Sequence, residues 1–363
     1  MKEILIDSLK GAGMAVQLCK YQDGSGILIL PHGGRILGLF AAESSQNFLW
    51  THPALATAAT ARSFFGSDQW HNSGGDRTWL APEVDFFFPD FPDTNRYWQL
   101  RQLDPGNYQI SQGSAELSLT NRLSARLSRS KEDVDVRITK TVSPAADPLR
   151  YEHVLSKTGI QYAGYTLRTA LEWTSGKLGS AVVGLWNLLQ LPHGGDLLIP
   201  THVRAQPRIY FGTIAPADLI AGDHLVRYRM RAPGEQKIGI RAVAATGRLA
   251  YRHRTADGQW ELVIRNVFVN PSGAYVDVPW DSPAEPGDAL QACNINSGLG
   301  CFSELEYHVP AIGPATGRFL VEDASQVWAY RATREQIDEL TKALVTTGPS
   351  SWDEGSPEHG TLV

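Results

Sequence analysis

The stretch at residues 72–83, NSGGDRTWLAPE, gathers polar groups, an aromatic plate and backbone breakers in a short span. An arginine guanidinium is a planar fork of N–H donors that can hold two oxygens at once, so Arg77 is a candidate for gripping hydroxyls. Asp76 beside it accepts hydrogen bonds from hydroxyls or orients the arginine, and Trp79 offers a flat apolar face with one N–H donor. Gly74 and Gly75 let the backbone turn sharply or approach a ligand closely. A sugar needs this combination: donors and acceptors for its hydroxyls and a flat surface for the C–H side of its ring. The same residues would also make a plain braced loop, an Asp–Arg pair with Trp79 in the core. Trp70 and His71 lie just upstream. An imidazole titrates near ~6.5, so His71 could donate a proton in the same cavity, or simply cap backbone groups in a loop.

A second chemical signal comes late in the chain, in SELEYHVP. In a strand, side chains alternate, so Glu304, Glu306 and His308 share one face, with neighbours roughly 6.5 Å apart. Such a face is either solvent-exposed or an acid–base site. Enclosed in a cavity, repulsion and desolvation would raise the pKa of at least one carboxyl, allowing an acid and a base to coexist near neutral pH. In WNLLQLPHGG, Trp186 is a further aromatic plate and His193 a further candidate acid or a turn residue. His153 in RYEHVLSK is another candidate.

The elements that must position these groups read as strands. The 34 glycines and 21 prolines punctuate the whole chain, as many short strands require. GILILPHGGRILGLF reads as two strands around a His-Gly-Gly turn, with His32 in that turn. In VDVRITKTV, Val134, Val136 and Ile138 alternate with polar residues. LVRYRMRAP sets Val226, Tyr228 and Met230 against three arginines. LAYRHRTADGQWELVIRNV reads as a hairpin with Asp257-Gly258 at its turn. Helical signals are few: TREQIDELTKAL, with a Thr333/Gln336 capping box, and a short helix within HPALATAATARSFF. The expectation is an all-β fold, one domain over residues 1–345 with antiparallel sheets packed face to face and few short helices, followed by a disordered polar tail at 346–363.

Composition narrows the function classes. Hydrophobic residues make up 42% and charged residues 20%, which is ordinary for a globular protein. The net charge of −5 and the absence of a basic stripe argue against nucleic acid. No apolar run has transmembrane length, and the charged start is unlike a secretory signal, so a cytoplasmic location and no membrane partner are expected. The three cysteines, Cys19, Cys293 and Cys301, fit no zinc spacing and read as buried thiols. No cluster has metal-ligand spacing, and no phosphate loop, dinucleotide fingerprint or nucleophile elbow occurs.

Four segments resemble the galactose mutarotase-like (aldose 1-epimerase) superfamily. GILILPHGGRILGLF is similar to its first hairpin and GGDRTWLAPE to an arginine-bearing segment that follows. GLWNLLQLPHGGDLLIP is similar to a mid-chain strand pair, and CFSELEYHVPAI to the late strand that carries the catalytic glutamate. The resemblance runs over about residues 25–330. It implies a β-supersandwich and anomer interconversion without metal or organic cofactor. A glutamate would be the base, Glu304 favoured over Glu306, a histidine the acid, and Arg77 a binder of a small-molecule sugar. The family's Asn-His-x-Tyr-Phe-Asn segment, which carries that acid, is absent, and HVLSKTGIQYAGYTLRTALEW stands near its place. That leaves His71 and His193 as candidate acids, with Asp76, Trp70, Trp79, Trp186 and His308 as candidate sugar contacts. Two other readings stay open: a sugar-binding or sensing protein on the same fold, and a polysaccharide lyase or hydrolase. A hydrolase needs two carboxyls flanking the scissile bond, which two residues of one strand do not provide. A monomer or homodimer is expected.

Overall fold

The computed structural model describes residues 1–113, 116–152, 158–174, 176 and 178–345. His153 and the 346–363 tail lie outside the described residues. Two large antiparallel sheets carry the architecture, as expected for a β-supersandwich, with strands numbered along the chain. The first sheet contains β1 (Gln17–Lys20), β2 (Gly26–Leu30), β3 (Arg35–Phe40), β4 (Asp76–Ala81), β9 (Gly184–Pro192), β11 (Arg208–Phe211), β14 (Gly234–Ile240), β17 (Leu290–Ser297) and β18 (Gly300–His308). They are hydrogen-bonded in the order β1-β2-β3-β4-β9-β18-β17-β14-β11. The second sheet contains β5 (Gln109–Gln112), β6 (Leu117–Arg126), β7 (Asp133–Pro144), β8 (Gln161–Trp173), β10 (Asp196–Pro200), β12 (Leu219–Ala221), β13 (Leu225–Arg229), β15 (Arg248–Arg254), β16 (Trp260–Asn266) and β19 (Leu320–Ala332). Its order is β12-β13-β10-β15-β16-β19-β8-β7-β6-β5.

Period-two patterning decides which side chains meet. In β7, Val134, Val136, Ile138 and Val142 are buried while Asp133 and Asp135 are exposed. The core between the sheets joins Leu80, Leu185, Leu189 and Leu305 of the first to Tyr165, Leu167, Val263 and Val327 of the second. Burying these apolar faces drives the packing, at roughly 25 cal/mol per Å² of apolar surface. In β18 the odd residues Leu305 and Tyr307 join this core. The even residues Glu304, Glu306 and His308 therefore project from the other face of the sheet.

That other face is itself covered. Helices α1 (Lys2–Gly11) and α2 (Ala58–Phe65) bury Leu5, Leu9 and Ala61 against Leu28, Leu30, Leu37 and Phe40 of β2 and β3. Around its middle, α3 (Glu83–Phe86) and the loops carrying Tyr97 and Trp280 rise over the sheet and leave a cleft. Helix α4 (Arg334–Leu344) closes the outer face of the second sheet with Ile337, Leu340 and Leu344, its N-terminus held by the reciprocal Thr333–Gln336 capping box.

The structure departs from the sequence reading in three places. The charged start contains α1, which buries Leu5 and Leu9 and leaves Ile4 exposed. β9 and β10, read as one strand pair, lie in different sheets, because the His193-Gly194-Gly195 corner carries the chain from one layer to the other. Cys301 is exposed and Cys19 half-buried, so only Cys293 is a buried thiol.

Candidate functional site

The cleft forms where β4, β9, β18, β17, β14 and β11 lie side by side, and it encloses about 310 Å³. Its entry strand depends on two glycines. Gly74 and Gly75 have φ of +101° and +76°, and a Cβ on either would fall 2.2 Å from a backbone oxygen, Trp50 O or Ile36 O. Only glycine lets the chain turn there and feed β4 between its neighbours.

Alternation then splits the Asp–Arg pair. Asp76 points between the sheets, fully buried, where its Oδ2 accepts the Tyr165 hydroxyl at 2.6 Å and lies 3.2 Å from Arg265 Nη2. Arg77 points into the cleft. Its Nη2 donates to Glu304 Oε1 at 2.9 Å, and Gln190 Nε2 donates to the same oxygen at 2.9 Å. The guanidinium lies over Trp79 at 4.2 Å and Trp70 at 5.5 Å. Arg77 Nε and Nη1, both buried, have no hydrogen-bond partner. One carboxylate fixes both aromatic plates: Asp104 Oδ2 accepts the indole N–H of Trp70 and of Trp79, each at 3.0 Å, and an Arg35 Nη2 bond at 2.9 Å.

Beside this group sits a buried lysine. Lys237 of β14 places Nζ 3.2 Å from Glu306 Oε2, 3.9 Å from Glu83 Oε2 and 4.0 Å from Asp277 Oδ2. It also lies over the Trp186 ring at 4.2 Å. Burial pulls its pKa down, but the carboxylates Glu306, Glu83 and Asp277 outweigh that and raise it. Trp186 Nε1 donates to Glu306 Oε2 at 2.8 Å, and Glu306 Oε1 has no partner. Burial pushes the Glu306 carboxyl up to about 7, Lys237 pulls against this, and Glu304 adds repulsion. Glu83 is likewise raised by burial, against the pull of Lys237.

The histidines occupy other places. His308, stacked on Trp186 at 5.6 Å between centroids, is fully buried, and burial lowers its pKa to about 4, so the ring is neutral near pH 7. Neither of its ring nitrogens has a hydrogen-bond partner. His71 packs between Phe64 and Phe65, with Nδ1 3.3 Å from His32 Nε2 and Nε2 3.1 Å from Ser67 O. His193 sits at the corner after β9, its Nε2 2.9 Å from Asn294 Oδ1. Among the described residues no histidine lines the cleft. Arg77, Trp70, Trp79, Trp186, Glu304 and Glu306 do line it, whereas Asp76, His71 and His193 do not.

Cys293, Glu304 and Glu306 bring one ligand atom each within 4.8 Å of one another. A dication there would displace Arg77 and Lys237 from the two carboxylates. It would also need a thiolate where burial, with Glu304 and Glu306, raises the Cys293 pKa strongly. The donor set does not suit a metal.

No family model matches the chain, and no curated protein does. Solved structures do. A putative aldose 1-epimerase from Klebsiella pneumoniae aligns with TM-score 0.45 and 10% identity, over 91% of this chain and 83% of that one. A galactose 1-epimerase from Lactobacillus acidophilus aligns with TM-score 0.36 and 7% identity, over 88% and 100%. An aldose epimerase homologue from C. elegans aligns with TM-score 0.38 and 8% identity, over 88% and 100%. At these values the likeness carries no residue-by-residue equivalence.

Several cleft residues carried no signal in sequence. Lys237 stands in GEQKIGI, where alternation predicts a strand with Glu235 and Lys237 on its polar face, which reads as solvent surface. It becomes a cleft residue only through cross-strand pairing, Lys237 opposite Cys293 and Cys293 opposite Glu304. Asp277, Tyr97 and Trp280 stand in segments with no recognisable motif, and Glu83 and Gln190, though inside quoted motifs, carry no sign of their role there.

Proposed function

We propose that the cleft binds a sugar in its ring form and interconverts its anomers, in the manner of an aldose 1-epimerase. One observation carries this reading: two buried carboxyls of β18 stand side by side, oxygen atoms within 4.8 Å, in opposite surroundings. Glu304 faces the donors Arg77 and Gln190 and offers a proton acceptor. Glu306, lifted to about 7 chiefly by burial, retains a proton over much of the neutral range. Such a pair divides acid from base by environment. The anomeric hydroxyl and the ring oxygen sit on one carbon, so the groups that serve them must also be neighbours.

In this mechanism Glu304 takes the proton of the anomeric hydroxyl while Glu306 gives its proton to the ring oxygen. The bond from the anomeric carbon to the ring oxygen breaks, its electron pair stays on that oxygen, and a carbonyl forms at the anomeric carbon. After rotation the ring oxygen attacks the other face. Glu306 recovers its proton from the ring hydroxyl, Glu304 returns its proton to the new anomeric hydroxyl, and both carboxyls end as they began. Arg77 Nε and Nη1 are free to donate to substrate oxygens. Trp70, Trp79 and Trp186 supply flat surfaces held by carboxylates.

The absence of histidine from the cleft wall among the described residues favours one rival, a sugar-binding or sensing protein. Anomer exchange measured by polarimetry or NMR, over a panel of aldoses and sugar phosphates, separates the two. The proposal expects catalysed exchange for at least one sugar and a loss of about 10²- to 10⁴-fold in Glu304→Gln. Saturable binding with no exchange on any sugar would support the sensor and reject the enzyme.

A further inference from the structure

Arg77, Glu304 and Glu306 occupy only one end of the cleft. Phe211, Lys237, Cys293 and Glu304 are successive cross-strand partners, so they form a single rung across β11, β14, β17 and β18. Three strand spacings of about 4.8 Å put Phe211 roughly 14 Å from Glu304. A pyranose is about as wide as one strand spacing, so a ring seated at Glu304 and Glu306 leaves the far end of the rung uncovered.

That far end is built and not merely open. Trp280 stands over it and is tied to a buried carboxylate, its Nε1 donating to Glu83 Oε2 at 3.0 Å, while Glu83 Oε1 accepts the Tyr97 hydroxyl at 3.1 Å. Phe211 and Phe88 pack on Trp280 at 5.3 Å and 4.7 Å between centroids. Thr94 and Gln99, on the segment that carries Tyr97, add neutral hydrogen-bonding groups to the cleft lining, and Glu235 and Lys237 of β14 add charged ones. Fixed aromatic plates beside neutral polar side chains suit the two aspects of a sugar ring, an apolar C–H face and a rim of hydroxyls.

We propose that this aromatic end is a second sugar subsite, so that the preferred ligand is a reducing disaccharide with its reducing-end ring at Glu304 and Glu306 and its second ring against Phe211 and Trp280. This rests on the sugar-cleft reading, but not on catalysis. Lys237 does not make the end an anion site, since Glu306, Glu83 and Asp277 already surround its ammonium.

The test is calorimetric titration of the full chain with glucose and galactose, with maltose, cellobiose and lactose, and with a nitrophenyl glucoside. Anomer-exchange kinetics are measured in parallel on the reducing sugars. One stacked ring predicts that at least one disaccharide binds about tenfold tighter than its reducing-end monosaccharide. Phe211→Ala should carry this ratio towards one, and Phe211→Trp, which keeps a plate, should restore it. Phe211 makes ring contact with Trp280 and leaves the Glu83 bonds in place, which is why it is chosen over Trp280. Equal binding of mono- and disaccharides overturns the subsite, as does a disaccharide preference that survives Phe211→Ala. A nitrophenyl glucoside bound as tightly as the best disaccharide overturns the second ring in favour of a simple apolar group. If no sugar is exchanged but the disaccharide ratio and its dependence on Phe211 hold, the epimerase reading falls and the subsite stands. Exchange of monosaccharides without that ratio gives the converse.

Discussion

Asp76 and Arg77 are neighbours in sequence and belong to different chemistries. Asp76 joins a charge group between the sheets, with Arg265 at 3.2 Å, the Tyr165 hydroxyl at 2.6 Å and the buried Lys140 ammonium drawn towards it. Arg77 joins a charge group on the cleft face, where Arg77 and Lys237 meet Glu304, Glu306, Glu83 and Asp277. Both groups are buried. Arg265 lacks a partner only at Nε, whereas Arg77 lacks one at both Nε and Nη1, and Glu306 Oε1 and Gln190 Oε1 are also open. An unpartnered buried polar atom costs about 1–3 kcal/mol. The interior group nearly completes its bonds internally, and the cleft group holds donors and acceptors open where a ligand would complete them. Buried charge in one place braces the sandwich and in the other, on the proposed reading, prepares a site.

The largest expected effect tests the interior half of that contrast. Asp76→Ala leaves Arg265 buried without its carboxylate, and removing one partner of such a pair costs about 3–5 kcal/mol. Urea unfolding followed by tryptophan fluorescence reads this directly. A variant within about 1 kcal/mol of the parent would mean that Arg265 has found water or another partner, and that the interior group is not the brace described.

Arg77→Met tests the cleft half. Loss of a donor aimed at the reacting oxygens lowers the catalysed exchange rate by about a hundredfold or more. Its cost to stability should be smaller than that of Asp76→Ala, because Glu304 keeps its Gln190 bond and faces a cavity that water can enter. The same pair of measurements on both variants should therefore give opposite rankings, with stability hurt most at 76 and rate most at 77. Identical rankings would erase the distinction between the two faces.

How far this contrast was legible in the sequence depends on how local each signal is. The alternation of SELEYHV puts Glu304, Glu306 and His308 on one face from sequence alone, and the strand β18 does so. The same rule applied to DRTW separates Asp76 from Arg77, but treating the two as a functional pair hides it. The His-Gly-Gly hairpin of β2 and β3, the Asp257-Gly258 hairpin of β15 and β16 and the capping box of α4 are short-range devices, and each is where its residues indicate. Lys237 is the opposite case. Its place beside Glu306 comes from pairing β14 with β17 and β17 with β18, and a strand of alternating polarity cannot announce which other strand it will lie against. His71 and His193 lie near site residues along the chain, and neither lines the cleft, since a turn and a sheet-to-sheet corner separate them from it.

Proton linkage sharpens the comparison further. Glu306 holds its proton to about 7 because burial outweighs Lys237. On the proposed mechanism Glu306 acts only when protonated, so the exchange rate is expected to fall as pH rises through about 7, and Glu306→Gln should flatten that limb while lowering the maximum. The stability sign runs the same way. A carboxyl raised on folding contributes stability that is complete below its ordinary value near 4.5 and is lost as pH rises through its folded value near 7. Glu261, buried beside Arg331 and His253, is also raised to about 7 and acts in the same window. These two carboxyls therefore add a decline in unfolding free energy between about pH 4.5 and 7, against the rise that the buried His308, His253 and His32, each lowered to about 4 by burial, add between about 4 and 6.5. Glu261→Gln removes part of the decline without touching the pH limb of the rate, because Glu261 lies outside the cleft wall. A rate limb that moves in Glu261→Gln, or persists in Glu306→Gln, would take the acid role away from Glu306.

The smallest effect is the most specific to the interior. Tyr165→Phe removes one hydrogen bond to Asp76 and keeps the ring in the core, so it should cost about 1–2 kcal/mol, the upper part of that range because the acceptor is charged. The Asp76–Arg265 contact remains, and nothing on the cleft face loses a partner, so anomer exchange should match the parent. The two faces of β4 are separated by a single peptide step, and a change that stays on one of them tests whether the backbone insulates them. If Tyr165→Phe slowed exchange as well as lowering stability, the inter-sheet charges would be setting the position of β4, and through it Arg77. The brace and the site would then be one unit.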